Sequence, residues 1–220
     1  MFTKWRLLLD LYKHEPNKPG NADVAAKVIY EFNGKSKHPQ MYAWCETPTG
    51  IRYMAGERIL DNIESFRDRD PDTLGAKYLK FRDKYKFGEV KDELTSLPNK
   101  YTNNVEEAYG LFIADVHDFT HVITAYPPDT LGELMRIKVY KQYEGRGWSV
   151  VDLIGWLLFH TRRRKEMKEY KMLTQEANET ARFAKNYIFA DWFSLIGTHI
   201  NKVRQNLNTN SSILHNWERT

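Results

Sequence analysis

The sequence predicts an all-α fold, with a single helical domain over residues 1–207 and a polar tail at 208–220. Apolar residues recur at intervals of three and four in most segments, which is the period of an amphipathic helix. No segment alternates apolar and polar residues cleanly enough to predict a β-strand. A long apolar segment in the middle of the chain ends at two prolines. We therefore expect a core built around a central helical hairpin.

Composition restricts the classes of protein to consider. The chain has 220 residues, a formal net charge of +4 and a single cysteine, Cys45. This length suits one domain with its own core, and the small charge without a binding motif gives no indication of nucleic-acid binding. One cysteine excludes an internal disulfide. No stretch matches a membrane-spanning helix or a signal peptide, so we expect a soluble protein or one that lies on a membrane surface.

Short helices and loops are predicted before the central segment. Periodic apolar residues predict helices over residues 2–12, 22–32, 56–69 and 73–85. The structure of residues 43–52 is ambiguous, and a turn is predicted at 47–50, where the sequence reads Thr-Pro-Thr-Gly. Loops are predicted over residues 14–21, 33–39 and 86–103.

The central segment, residues 105–124, predicts a long helix that is buried on nearly all sides. Asn104 followed by Glu107 fits an N-cap with a capping box, and apolar residues cover most of the helix circumference. The prolines at 127–128 end the helix, because proline cannot continue its hydrogen-bond ladder. A second helix is predicted to begin at 129–130, and so short a loop makes the two helices an antiparallel hairpin.

Polar side chains that can bind metal lie on this apolar helix. His117 and His121 are one turn apart and point the same way, with Asp118 beside them. Glu133, in the first turn of the second helix, is predicted to lie near His121. Imidazole and carboxylate ligands together suit divalent transition metals. The sequence therefore predicts a metal site of His117, Asp118, His121 and Glu133, and the same four residues are the candidate catalytic groups.

The same four residues allow alternative interpretations. A buried histidine is more often a hydrogen-bonded core residue than a ligand, and Glu133 also fits a capping box that begins at Thr130. The HDxxH spacing resembles the HExxH zinc peptidases only in part, because Asp is a shorter general base and no strand edge is predicted for a peptide substrate. An HD-type phosphohydrolase would need further ligands that we do not find. A metal-dependent hydrolase is kept as one alternative interpretation of function.

A very apolar helix followed by basic residues lies downstream. It is predicted to begin at Ser149 after a flexible turn at 144–147, and a basic run follows at 162–171. The helix is too short to span a bilayer, and such an arrangement is typical of binding to an anionic interface or amphiphile. The alternatives are a buried core helix and a solvated charged face. The residues predicted to bind lipid are Val150, Leu153, Ile154, Trp156, Leu157, Phe159, Arg162 and Arg163.

One more helical region and the tail complete the chain. Apolar residues at helical spacing cover 174–206, where Gly197 marks a break, and His199 is interpreted as structural. Residues 208–220 are polar, and we expect no role for them in the core.

With the hairpin defined, the sequence resembles the family of coenzyme Q (ubiquinone) biosynthesis protein four. The motif of that family is HDxxH, eleven residues and Glu, which is matched here by His117, Asp118, His121 and Glu133. The motif is specific, and the apolar flanks of the hairpin agree with the family. The resemblance covers residues 22–207.

The resemblance implies a substrate class, a cofactor and a location. It implies a cytoplasmic protein, peripheral on the inner face of a membrane, that holds a polyprenylated quinone precursor in an apolar tunnel. A divalent metal would occupy the four motif residues, with zinc as the expected ion and iron or magnesium as alternatives. The implied reaction is oxidative decarboxylation at ring C1 of a 4-hydroxy-3-polyprenylbenzoate, where hydroxyl replaces carboxylate.

The resemblance also implies partners and an alternative function. The implied partners are other enzymes of quinone biosynthesis and the membrane surface, and assembly as a homo-oligomer is open. The alternative function is a non-catalytic carrier of prenyl lipids, or a scaffold for those enzymes, in which the metal is structural.

Overall fold

The computed structural model describes residues 40–86, 105–144 and 146–219. These residues are mostly helical and contain no β-strand, which confirms the all-α fold class. The predicted helices at 2–12 and 22–32, the loops at 14–21 and 33–39, and nearly all of 86–103 lie outside the described residues, as does the predicted cap Asn104.

Nine α-helices and three 3₁₀ helices are defined in the part of the chain that the structure describes. The α-helices are α1 (Met41–Cys45), α2 (Pro48–Met54), α3 (Leu74–Tyr85), α4 (Val105–Thr124), α5 (Thr130–Glu144), α6 (Arg146–Thr161), α7 (Met167–Ala181), α8 (Trp192–Leu195) and α9 (Ile200–Leu207). The 3₁₀ helices are Ile59–Phe66, Arg164–Glu166 and Tyr187–Phe189. Two compact units result. The described part of the first lies within 40–124 and 185–210, and that of the second within 125–184 and 211–219.

The first unit is organised around α4, which has the predicted bounds. Every residue from 119 to 124 is buried, whereas Gly110 in the first half of the helix is exposed. Among the described residues, a Cβ added at Gly110 would have no neighbour within 4 Å. The helix ends at Thr124, and the next residue, Ala125, takes a positive φ of 63°.

Helix α3 packs against α4 through aromatic side chains. Tyr78 stacks on Phe119 with ring centroids 4.4 Å apart, and Phe81 stacks on His121 with centroids 5.8 Å apart. Thr73 caps α3, since its Oγ1 accepts a hydrogen bond from the Ala76 N–H at 3.4 Å. A capped helix with a buried aromatic face thus fixes the side of α4 that carries His121.

A buried ionic network joins α4 to the segments before it. The Asp115 side chain is 2% exposed and accepts hydrogen bonds from Arg58 Nη2 at 2.5 Å, Arg58 Nε at 2.9 Å and the Tyr53 hydroxyl at 2.8 Å. Burial raises the pKa of Asp115, and the hydrogen bonds from Arg58 and Tyr53 offset this only in part. The Tyr53 hydroxyl also accepts from the Ile59 N–H. The network therefore anchors α4 to α2 and to the 3₁₀ helix Ile59–Phe66.

Three sequence predictions for the first unit are wrong in detail. The predicted turn at 47–50 is instead the start of α2, because Thr47 caps the helix and Pro48 occupies its first position, where no N–H is needed. The predicted α-helix at 56–69 is a 3₁₀ helix over Ile59–Phe66 with a kink at Asn62. The helical region predicted over 174–206, with a break at Gly197, is four separate elements, the first of which, α7, lies in the second unit.

Helices α5, α6 and α7 form most of the described second unit. The Phe159 ring of α6 stacks on Tyr170 of α7 with centroids 4.6 Å apart, and Lys141 of α5 pairs with Asp152 of α6 at 2.9 Å. A Cβ at Gly155 would clash with the Leu134 side chain, so glycine permits the close approach of α5 and α6. Helix α6 begins at Arg146, which corrects the start predicted at Ser149.

The segment over residues 211–219, predicted to have no role in the core, contributes to the second unit. Trp217 is fully buried, and Ser212 is 2% exposed. The Trp217 N–H donates to the Ala125 carbonyl at 2.9 Å. The expectation of a tail outside the core is therefore wrong for these residues, because an aromatic side chain buries enough apolar surface to hold a polar segment in place.

Candidate metal centre

The two predicted histidine ligands lie side by side on α4. The ring centroids of His117 and His121 are 5.0 Å apart, and the planes are inclined by 66°. His121 is fully buried, whereas the His117 side chain is 31% exposed. Their one-turn spacing on a single helix produces this proximity, as the sequence predicts. One imidazole is thus in the core and the other lies partly open to solvent.

Asp118 lies next to His117. Its Oδ1 is 3.0 Å from His117 Nδ1. A carboxylate at this position favours the tautomer with a proton on Nδ1, which leaves Nε2 of the ring as a ligand atom. Such a carboxylate also fixes the orientation of the ring and makes the imidazole a stronger donor to a metal.

Glu133 lies in the first turn of α5 and has a positively charged neighbour. Its Oε2 is 3.6 Å from Arg136 Nε, and the Arg136 side chain is only 1% exposed. The cap of α5 is Asp129, whose Oδ1 accepts from the Gly132 N–H at 2.8 Å. The interpretation of Glu133 as part of a capping box that begins at Thr130 is therefore wrong. Glu133 is not needed to cap this helix.

His117, His121 and Glu133 form the group that could hold a metal ion among the described residues. Each offers one ligand atom, and these atoms lie within 4.8 Å of one another. Two imidazoles and a carboxylate fit zinc, and they equally fit ferrous iron. Asp118 does not belong to this group, so its predicted role as a direct ligand stays a prediction.

The eight residues predicted to bind lipid have different surroundings in the second unit. Leu153 and Trp156 are 56% and 45% exposed, whereas Phe159 is fully buried against Tyr170. Arg163 lies over the Phe159 ring and pairs with Glu166. Arg162 is exposed. The remaining three residues are half-buried: Val150, Ile154 and Leu157. Their lipid-binding role stays a prediction, and Leu153 with Trp156 is the apolar pair that α6 presents at its surface.

Sequence reasoning missed three groups near the predicted site residues. Asp115 precedes the histidine motif by two residues, and a charge in so apolar a helix was a usable signal. Arg136 follows Glu133 by three residues, and its burial could not be read from the sequence of a helix that also carries two lysines. Asp129 was available as the cap, because Asp directly before the first residue of a helix is a preferred N-cap.

Comparison with known proteins gives a family and a fold. The family model described as Coenzyme Q (ubiquinone) biosynthesis protein Coq4 matches residues 54–212. None of the curated proteins compared with the chain matches it.

A crystal structure from Nostoc punctiforme PCC 73102, of a protein provisionally assigned to ubiquinone biosynthesis, is similar in fold. The superposition of the two structures has a TM-score of 0.69 at 12% sequence identity, and it covers 94% of this chain and 95% of that chain. No helix in the described residues is long and apolar enough to cross a membrane. The family match includes His117, His121 and Glu133 and covers more than half of the chain. The chain therefore belongs to the Coq4 family of coenzyme Q (ubiquinone) biosynthesis proteins.

Proposed function

We propose that this chain binds a polyprenylated quinone precursor at a membrane surface and acts in the metal-dependent replacement of the ring C1 carboxylate by hydroxyl. The observation that carries the proposal is the group formed by His117, His121 and Glu133 within a chain of the Coq4 family. Three protein ligands leave a coordination position for substrate, which is typical of catalytic rather than structural sites. A bound divalent ion would supply positive charge to pair with the substrate carboxylate.

Residues of the chain would support that role. Asp118 holds the His117 ring, and Phe81 covers the buried His121. The Arg136 guanidinium adds positive charge beside Glu133.

The lipid part of the proposal rests on α6. Leu153 and Trp156 are exposed apolar side chains on one helix, and the exposed Arg162 and Arg164 follow it. Apolar side chains flanked by arginines fit a surface of acyl chains and anionic headgroups.

Replacing both Leu153 and Trp156 by serine is expected to weaken binding to anionic phospholipid vesicles by about tenfold, because apolar surface no longer leaves water. The measurement is sedimentation with vesicles of phosphatidylglycerol and phosphatidylcholine. Ile51→Ser is the matched control, since Ile51 is 58% exposed in the first unit. Equal binding by the double variant and the wild type would refute this membrane contact.

The direct test of the reaction uses purified protein loaded in turn with zinc, iron or magnesium. Given a prenylated 4-hydroxybenzoate, water and O₂, it should yield the ring with hydroxyl at C1 together with CO₂ and H₂O₂, because O₂ accepts the two electrons released when hydroxyl from water replaces the carboxylate. Zinc itself does no redox chemistry, so the comparison with iron is informative. Lipid binding without turnover by any of the three forms would overturn the catalytic proposal in favour of a carrier or scaffold.

A further inference from the structure

The segment over residues 211–219 holds the loop at 125–129 at three points. The Trp217 N–H donates to the Ala125 carbonyl at 2.9 Å. Glu176 of α7 accepts from the Tyr126 hydroxyl at 3.0 Å and from Ser212 Oγ at 2.5 Å, and so bridges loop and segment. His215 Nε2 lies 2.8 Å from Asp129 Oδ2. Most of this segment lies beyond the family match, which ends at residue 212.

The loop held in this way links the two sets of candidate ligands along the chain. It follows directly after α4, which carries both histidines, and leads into α5, which carries Glu133. Asp129 at its end uses both carboxylate oxygens. Oδ1 caps α5 by accepting from the Gly132 N–H, and Oδ2 faces His215. Two hydrogen bonds therefore connect His215 to the first turn of α5: one joins His215 to Asp129, and the other joins Asp129 to the Gly132 N–H. Gly132 is adjacent to Glu133.

Charge strengthens the contact between His215 and Asp129. The His215 side chain is 18% exposed, and its Nδ1 is 3.9 Å from Glu169 of α7. The hydrogen bond with Asp129 raises the pKa of His215, and Glu169 and Glu176 add to this effect. Burial acts to raise the pKa of Asp129, but the hydrogen bonds from His215 and the Gly132 N–H outweigh it and leave the pKa lowered. The two side chains therefore form an ion pair in mildly acidic solution.

We propose that segment 211–219 is a positioning element for Glu133, and that His215 acts through Asp129 to fix the first turn of α5. A carboxylate that binds a metal must be held before the ion arrives, and partners outside the ligand set contribute to affinity in this way. The inference rests on the proposed metal site, in which Glu133 is a ligand.

The first test is amide hydrogen exchange of the metal-free protein. His215→Ala should speed exchange at Gly132 and Glu133, whose N–H groups both donate to Asp129. His215→Gln, which keeps a donor near the position of Nε2, should restore protection. Glu166→Gln is the control, because it removes an ion pair with Arg163 in the same unit. Unchanged exchange in His215→Ala would overturn the inference whether or not metal binds.

The second test is affinity for Zn²⁺ alone, measured by competition with a chromogenic chelator at neutral pH. His215→Ala should weaken affinity by about tenfold, the lower limit for partners outside the ligand set. His215→Gln and Glu166→Gln should bind Zn²⁺ like the wild type. If the wild type binds Zn²⁺ and His215→Ala binds it equally well, the inference fails and the proposed function stands. If the wild type binds none of Zn²⁺, Fe²⁺ and Mg²⁺, the proposed function fails, and the inference is then judged by amide exchange alone.

The pH dependence of stability distinguishes an ion pair between His215 and Asp129 from a contact that stabilises through packing alone. The contribution of His215 is complete below its ordinary pKa of 6.5 and is lost as pH rises through the raised value in the folded protein. The stability advantage of the wild type over His215→Gln, measured by thermal unfolding without metal, should therefore shrink as pH rises from 6 to 9. A constant advantage across this range would contradict the ion pair.

Discussion

Replacing His117 and His121 together by alanine is expected to abolish stoichiometric binding of Zn²⁺. Two of the three protein donors in the candidate group would be lost, and the affinity should fall by more than about a thousandfold. Single variants should each bind measurably but weakly. The measurement is chelator competition, with metal content determined by inductively coupled plasma mass spectrometry.

The controls for this prediction concern folding. His121 is fully buried beneath Phe81, so alanine leaves a cavity and glutamine is the better match in volume. His121→Gln should keep the helical circular dichroism of the wild type and bind Zn²⁺ only weakly. His160→Ala is the matched control, because His160 is outside the candidate group. Retained affinity in a folded His121→Gln protein would show that this imidazole is a core residue and not a ligand.

Asp115→Ala is expected to lower the free energy of unfolding by about 3 kcal/mol, because removing one partner of a buried ion pair leaves the other charge uncompensated. Arg58 is 24% exposed, which places the effect at the lower end of the range for such pairs. The Tyr53 hydroxyl also loses its acceptor. The measurement is unfolding in urea, followed by circular dichroism.

A matched control is available in the same unit. Asp83 pairs with Arg67 at 2.6 Å, but its side chain is 52% exposed. Asp83→Ala should therefore cost only about 0–1 kcal/mol, as is usual for surface pairs. An Asp115→Ala variant no less stable than Asp83→Ala would show that the network does not hold α4 in place.

The fold class and the central helix were predictable because their signals are local. The bounds of α4 follow from a long apolar run and the prolines after it. The spacing of Ile59, Ile63 and Phe66 predicted helix correctly but not its type, because residues three apart, such as Ile63 and Phe66, share a face in both α and 3₁₀ helices. Apolar spacing overpredicted the helix at 174–206, where Phe183 is 71% exposed.

The residue types of the candidate site were predictable from the sequence, but the contacts that hold these residues in place were not. One helix turn places His117 beside His121, and Asp118 is adjacent to His117 in sequence, so these contacts are local. Whether a carboxylate binds a metal or orients a ligand depends on atomic positions that spacing does not determine. The pair of His215 and Asp129 joins residues 86 positions apart, and no periodic pattern encodes such a contact.

The predictions differ in what they would change. Loss of the histidines removes the proposed chemistry and leaves the fold, whereas loss of Asp115 weakens the helix that presents both histidines. Loss of the His215 contact would alter the start of α5 alone. These three effects can be measured separately, through metal content, unfolding and amide exchange.

X-ray absorption spectroscopy of the metal-loaded protein tests the central claim most directly. The ligand set of His117, His121 and Glu133 predicts one ion per chain, with two imidazole nitrogens, a carboxylate oxygen and at least one oxygen from solvent or substrate. Replacing Glu133 by glutamine should change the oxygen shell and leave the two nitrogens. A site with four protein ligands and no exchangeable oxygen, or a protein without stoichiometric metal, would contradict a catalytic metal centre at this motif.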